Sequence, residues 1–213
     1  MKVLSQLSGG IDSVGSTLKI AESGVVFGTI FFDLEQAYVA QESLAVDYFV
    51  EYLKENYPDT YTGHYYSEVF MDTFSPDPNT PSEYIPVRNF VLGAMSVNKA
   101  LANGFDTIAV GSKTVKVRPG DPYSFSDCSI EFFQKMSDIA TFCSENQKVE
   151  FIMPLIDGET PMTKQEVIKY LIDNDVDVSR LWSCYNGEVD KHCGVCYHCQ
   201  EIKKTGYWDY FSR

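Results

Sequence analysis

The chain has 213 residues, a formal net charge of −13 and six cysteines. That length suits one domain with at most a small appendage, and 44% hydrophobic residues supply a core and argue against disorder. The pI near 4.6 disfavours duplex nucleic acid as the main partner, because side-chain binding of phosphate needs an excess of Lys and Arg; backbone amides can still hold a nucleotide.

Lys2–Leu7 reads as a first strand. Ser8-Gly9-Gly10 ends its apolar run too soon for a signal peptide, and no run of about 18 apolar residues follows. A cytoplasmic protein that spans no membrane is expected. Ser13–Ala21 reads as a helix, Val25–Phe32 as a strand buried on both faces, Leu34–Asn56 as a long helix and Tyr65–Phe70 as a weaker strand. A loop with Pro76, Pro78 and Pro81 leads to a helix over Arg88–Asn103 and a strand over Thr107–Val110. After a second loop, Lys116–Asp127, come a helix (Ser129–Glu145), a strand (Val149–Met153) and a helix (Lys164–Asn174). The alternation implies an α/β fold, a mostly parallel sheet with helices on both faces. Such sheets bind ligands at the carboxyl ends of their strands. Residues 1–180 form this domain. Residues 181–213 are Cys-rich, read as irregular, and are too few for a core without a staple.

Ser8-Gly9-Gly10-Ile11-Asp12-Ser13 joins the first strand to the first helix. Glycines let the backbone approach a ligand closely, and the helix start offers unpaired amides to an anion. The Ser8 and Ser13 hydroxyls add donors. Asp12 repels phosphate unless it carries Mg²⁺ or bonds the loop. The plain alternative is a capped strand–helix turn. The string is neither a Walker loop nor a dinucleotide fingerprint.

Cys184, Cys193, Cys196 and Cys199 have the spacing C-x8-C-x2-C-x2-C. Four thiolates suit a closed, structural Zn²⁺ site, with an iron–sulfur cluster as the competing reading. In a reducing compartment such cysteines are metal ligands or catalysts rather than disulfides. His192 and His198 flank the ligands and read as exposed. Cys143 reads as core.

The Ser8–Ser13 string resembles the PP-loop of the N-type ATP pyrophosphatases. Loop and cysteines together resemble the 7-cyano-7-deazaguanine synthase family over nearly the whole chain. Further pieces carrying the resemblance are Pro86-Val87-Arg88-Asn89, the stretch from Asp121 to Asp127-Cys128, Pro154-Leu155 with Lys164, and the tail strings Trp182–Gly187 and Cys193–Gln200. The resemblance implies a Rossmann-like doubly wound sheet of the adenine nucleotide alpha hydrolase type with a small C-terminal zinc-binding subdomain. It also implies an ATP-dependent C–N ligase that turns 7-carboxy-7-deazaguanine and ammonia into the nitrile. The route is an adenylated carboxylate, then an amide, then a second activation. ATP, with Mg²⁺, would sit on Ser8, Gly9, Gly10, Ile11, Asp12 and Ser13. Arg88, Asn89, Asp121, Asp127, Cys128 and Lys164 would face the base, and Ser8, Asp12, Ser13, Lys113 and Arg88 would be the catalytic residues. A homodimer is implied, and nucleic acid is not expected as the direct substrate.

The residues leave plainer roles open. Arg88 can be an exposed first-turn residue with a fork suited to carboxylate or phosphate. Asn89 can cap its helix, and Asp127 reads as an N-cap of the next one. Lys113 and Lys164 can be solvated. Cys128 is not required as a nucleophile, since adenylation followed by ammonia needs no covalent enzyme intermediate.

The chain also departs from the family. Where a Tyr-Gly-Gln-Arg-His segment is usual it has Asp33-Leu34-Glu35-Gln36-Ala37-Tyr38, without the Arg and the His. An enzyme stopping at the amide, one serving DNA modification, a non-catalytic nucleotide-binding zinc protein and a tRNA-thiolating relative are the alternatives; the acid surplus disfavours the last.

Overall fold

The uninterrupted apolar character of the second strand is explained by its neighbours. The computed structural model describes residues 1–71, 85, 87–113, 125–145, 147–156, 161–186 and 191–212. In it, β2 (Val26–Asp33) lies between β1 (Lys2–Gln6) and β3 (Tyr61–Glu68), paired in parallel with both. On the other side of β1 come β4 (Thr107–Ala109) and β5 (Glu150–Ile152), also parallel. The order is β3-β2-β1-β4-β5, so the chain reverses direction across the sheet between β1 and β4, where such sheets open a crevice.

The helices are α1 (Ile11–Glu22), α2 (Val39–Asn56), α3 (Arg88–Ala102), α4 (Ile130–Cys143), α5 (Lys164–Asp173), α6 (Tyr197–Lys204) and α7 (Trp208–Phe211). Successive strand residues serve opposite faces. Val3, Phe31 and Ala109 pack with α1, α2 and α5. Leu4, Ile30 and Ile108 pack with α3 and α4. Among the described residues, no helix is long and apolar enough to cross a membrane. The α/β, parallel, doubly wound expectation is met.

Several local expectations are corrected. The helix expected from Leu34 starts at Val39. Asp33 Oδ1 accepts from the Glu35 amide and Gln36 Oε1 from the Leu34 amide, both at 2.8 Å, and these side-chain bonds compete with helix formation. Asp127 is no N-cap. It lies in a 3-10 turn (Ser126–Cys128), and Ser129 caps α4 by accepting from the Phe132 amide at 3.2 Å. Asn89 does not cap α3, whose N-cap is Val87 in the left-handed region at φ 57°. Cys143 is exposed, because it falls on the outer side of α4 beside the exposed Phe142.

The tail is less irregular than its composition suggests. It forms α6 and α7, and α7 buries Phe211 in the α1–α2–α5 layer, so the aromatic end packs on its own chain.

Candidate active site

The loop after β1 is shaped by its own hydroxyls. Ser13 Oγ accepts from the Ser8 amide and the Ser8 hydroxyl, both at 3.1 Å, and donates to the Gly10 carbonyl at 3.0 Å. Gly9 has φ +75°, and a Cβ there would come within 2.8 Å of Ala45 Cβ and 2.9 Å of the Glu42 carbonyl. Only glycine combines that φ with that approach to α2. The tail closes the loop from the far side: the Trp182 amide donates to Gly9 O at 3.0 Å, and the Ile11 amide donates to Ser183 Oγ at 3.2 Å. At the end of β4, a Cβ on Gly111 would lie 2.8 Å from both Cα and N of Ser13. That close crossing brings the following Lys113 to the loop.

Asp12 sits between two cations. Lys164 Nζ, from the first turn of α5, lies 2.5 Å from Oδ2, and Lys113 Nζ lies 3.2 Å from Oδ1. Burial pushes the Asp12 carboxyl up, but the charges of Lys164 and then Lys113 outweigh it and the net displacement is downward. Lys113 moves down because of burial, opposed by Asp12 and reinforced by Lys164. Neither lysine is a solvated loop residue, and Asp12 binds these two side chains rather than its own loop.

Beside the loop lies a cavity of about 340 Å³. Its floor is Ser8, Asp12, Ser13 and Gly111, and its far wall holds Gln36, Tyr38, Glu42, Arg88, Asn89, Cys128 and Tyr185. Tyr38 and Tyr185 stack in parallel, with centroids 5.0 Å apart and planes 1° apart. Arg88 is half-buried in this wall and interacts with Tyr185. The Asn89 amide group donates to the Asp127 carbonyl at 3.1 Å and to Cys128 Sγ at 3.2 Å, tying α3 to the turn before α4. Burial, then the nearby Asp127, pushes the Cys128 thiol up to about 11, so it is a neutral thiol and a poor nucleophile. Glu42 was not singled out by sequence. It accepts from Gln36 Nε2 at 2.5 Å, and burial pushes its carboxyl up to about 7. Gln36, in the divergent segment, was the one available signal.

The four cysteine sulfurs lie within 4.8 Å of one another. Backbone amides point at them: Asn186 N and Cys193 N at Cys184 Sγ (3.4 Å each), and Val195 N (3.5 Å) and Cys196 N (3.4 Å) at Cys193 Sγ. Four converging thiols with such amides fit a metal held at a closed four-sulfur site. Gly194, at φ +73°, makes the turn between two ligands, and its carbonyl accepts from Gln200 Nε2 and Lys203 Nζ at 2.8 Å. The two histidines are not exposed. His192 is buried between Trp182 and Phe211 and accepts from the Ser183 amide at 3.2 Å. His198 is half-buried against the Tyr185 ring at 4.2 Å. Neither belongs to the sulfur cluster.

Structure thus brings together Ser8–Ser13, Lys113 and Lys164 at the loop, Arg88, Asn89 and Cys128 on the cavity wall, and the four cysteines behind the loop, while Asp127 stands next to Cys128 without lining the cavity. Asp121, Pro86 and Gly187 lie outside the described residues.

The chain is similar over much of its length to several known proteins. A 7-cyano-7-deazaguanine synthase of Psychromonas ingrahamii is 26% identical over 94% of this chain and 90% of the relative. One from Prochlorococcus marinus (strain MIT 9312) is 29% identical over 60% and 54%. The 7-cyano-7-deazaguanine synthase 2 of Sulfurisphaera tokodaii is 29% identical over 93% of this chain but 44% of the relative. Among solved structures, the U34-tRNA thiolase NcsA of Methanococcus maripaludis with its 4Fe–4S cluster is 13% identical over 96% of this chain and 80% of that one. Its TM-score of 0.49 is too low to bear on fold or metal. The family described as queuosine biosynthesis protein QueC matches residues 2–210, and the chain belongs to that family.

Proposed function

We propose that this protein is an ATP-dependent ligase that converts 7-carboxy-7-deazaguanine and ammonia into 7-cyano-7-deazaguanine for 7-deazaguanine biosynthesis. The observation that carries the reading is the cavity itself. A loop of helix-start amides forms one end and the half-buried Arg88 guanidinium the other, with the cysteine-bearing tail bonded to the back of the loop.

Ser8, Gly9, Gly10, Ile11, Asp12 and Ser13 hold the ATP phosphates, supplied as the Mg²⁺ salt. Lys113 and Lys164 leave Asp12 in part to meet the charge that builds on the pyrophosphate as it departs. Arg88 pairs with the carboxylate of the base through its planar fork. Asn89, Asp127 and Cys128 define the edge of the base pocket, Asp121 belongs to the same substrate loop by resemblance, and Cys128 stays a thiol. Residues 1–180 form the ATP-binding domain and residues 181–213 the metal-binding segment. Cys184, Cys193, Cys196 and Cys199 hold Zn²⁺, which supplies structural closure rather than chemistry because four ligands leave no open position. The protein acts in the cytoplasm as a homodimer, on a free base rather than on nucleic acid.

A second reading stops at the amide. It is favoured by one feature: Ala37 and Tyr38 stand where family members carry Arg and His, and Tyr38 is stacked on Tyr185. Incubation with ATP, Mg²⁺, ammonium and 7-carboxy-7-deazaguanine, with mass analysis of the base, decides. Nitrile is expected. Accumulated amide establishes the second reading, and an unchanged base with no AMP formed overturns both.

A further inference from the structure

The mechanism above leaves one half-buried titratable group in the cavity, Glu42, without a task. Glu42 sits in the first turn of α2, where its backbone carbonyl crowds Gly9 and the residue lines the cavity. Gln36 Nε2 binds one carboxyl oxygen, and Gln36 is itself fixed by accepting from the Leu34 amide. The side chain is therefore held from the divergent segment in a defined place.

The groups that face it come from three other elements: Asp33 at the end of β2, Arg88 from α3, and Tyr185 from the tail. Among the described residues, no cation lies within ion-pair distance of Glu42. Its charge is thus carried by one neutral hydrogen bond and a remote guanidinium. A carboxylate so placed gains and loses a proton near neutrality; burial pushes it up to about 7.

We propose that Glu42 is the proton acceptor for the nitrogen that becomes the nitrile. The proposal rests on the ligase reading. When ammonia has attacked the acyl adenylate, the new C–N bond leaves an excess proton on nitrogen. Glu42 takes it as the C–O bond to AMP breaks and its electron pair leaves with AMP. In the second half-reaction the adenylated amide, R–C(=NH)–O–AMP, loses AMP together with its last N–H proton. The N–H electron pair becomes the third C–N bond, the C–O pair departs with AMP, and the proton passes to the Glu42 carboxylate and then to water. No redox partner is needed.

The test supplies the amide, ATP and Mg²⁺ to the zinc-loaded protein, so that ammonia's own titration does not enter. Wild-type nitrile formation should rise with pH through about 7, as the carboxylate form accumulates. Glu42→Gln keeps an oxygen that can accept from Gln36. It should lower nitrile formation about 100-fold and abolish the rise. Carboxylate-dependent exchange of labelled pyrophosphate into ATP, which needs no proton acceptor at nitrogen, should fall by about threefold or less. Glu42→Asp should recover part of the rate.

A Glu42→Gln protein that forms nitrile at the wild-type rate with the wild-type pH profile overturns the proposal. Equal losses of exchange and nitrile formation also overturn it, by making Glu42 a structural support of the loop. A wild-type protein with neither exchange nor nitrile overturns the ligase reading and the proposal with it, and the missing wild-type exchange tells that failure from the others.

Discussion

The two ends of the cavity handle charge in opposite ways. At the loop after β1, Asp12 is half-buried but stays ionised because Lys164 and Lys113 flank it. At the far wall, Glu42 is half-buried, with the neutral Gln36 as its hydrogen-bond partner and the Arg88 charge offset in part by Asp33, and is pushed toward protonation. The first arrangement suits a site that meets a polyanion and must not change its protonation state. The second suits a site where protons move. Burial acts on both acids, and what decides the outcome is whether a cation lies within about 4 Å.

The comparison can be broken from several directions. The most severe intervention removes what both ends lean on. The tail bonds the loop through Trp182 and Ser183, and Tyr185 completes the far wall. Stripping the metal with a chelator, or Cys199→Ser at a buried ligand, should lower the Tm by about 10 °C or more and abolish activity, followed by circular dichroism. An unchanged Tm would mean that the cysteines carry no structural ion.

Next comes the phosphate end alone. Asp12→Ala should reduce pyrophosphate release about 1,000-fold while the circular dichroism spectrum is retained, because the Lys113 and Lys164 ammonium groups it leaves behind are partly exposed and can turn to solvent. Wild-type-like release would remove Asp12 from the mechanism.

A smaller effect is expected at the far wall. Arg88→Met should raise KM for the carboxylated base by about 10- to 100-fold, the worth of a charge-assisted hydrogen bond, and change KM for ATP much less. If both KM values rose together, the division of labour between the two ends would be wrong.

The smallest effect concerns stability and carries a sign. A carboxyl raised from 4.5 to about 7 on folding favours the folded state below pH 4.5, and that contribution is lost as pH rises through about 7. Glu42→Gln should therefore gain Tm relative to wild type at pH 8, and the gain should shrink or reverse at pH 5. A Tm difference independent of pH would mean that Glu42 titrates as an ordinary exposed acid.

The same contrast explains what was legible in the sequence. The loop and the cysteines are contiguous strings whose spacing carries their chemistry, so Ser8–Ser13 and Cys184–Cys199 could be read directly. The parallel, doubly wound sheet followed from the alternation of apolar runs with amphipathic ones. What could not be read depends on contacts between distant segments. Glu42 looks like any acid of a helix's first turn until Gln36 and Arg88 are placed beside it. Lys113 and Lys164 are 51 residues apart in sequence and meet only because Gly111 crosses closely over Ser13 and α5 packs on α1. His192 and His198 lie in a stretch too polar to suggest burial, yet aromatic rings from Trp182, Phe211 and Tyr185 enclose them. The late start of α2 has a local origin instead, since two side-chain bonds to backbone within Asp33–Gln36 override the apolar pattern after Asp33.

The central claim is that the phosphate end activates an oxygen atom of a carboxylated base held at the far wall. It is tested most directly with 7-carboxy-7-deazaguanine carrying ¹⁸O in both carboxyl positions, incubated with ATP, Mg²⁺ and ammonium. The account predicts two AMP for each nitrile, each containing one ¹⁸O atom, one from each activation. Unlabelled AMP, or label recovered in pyrophosphate or orthophosphate, would contradict it.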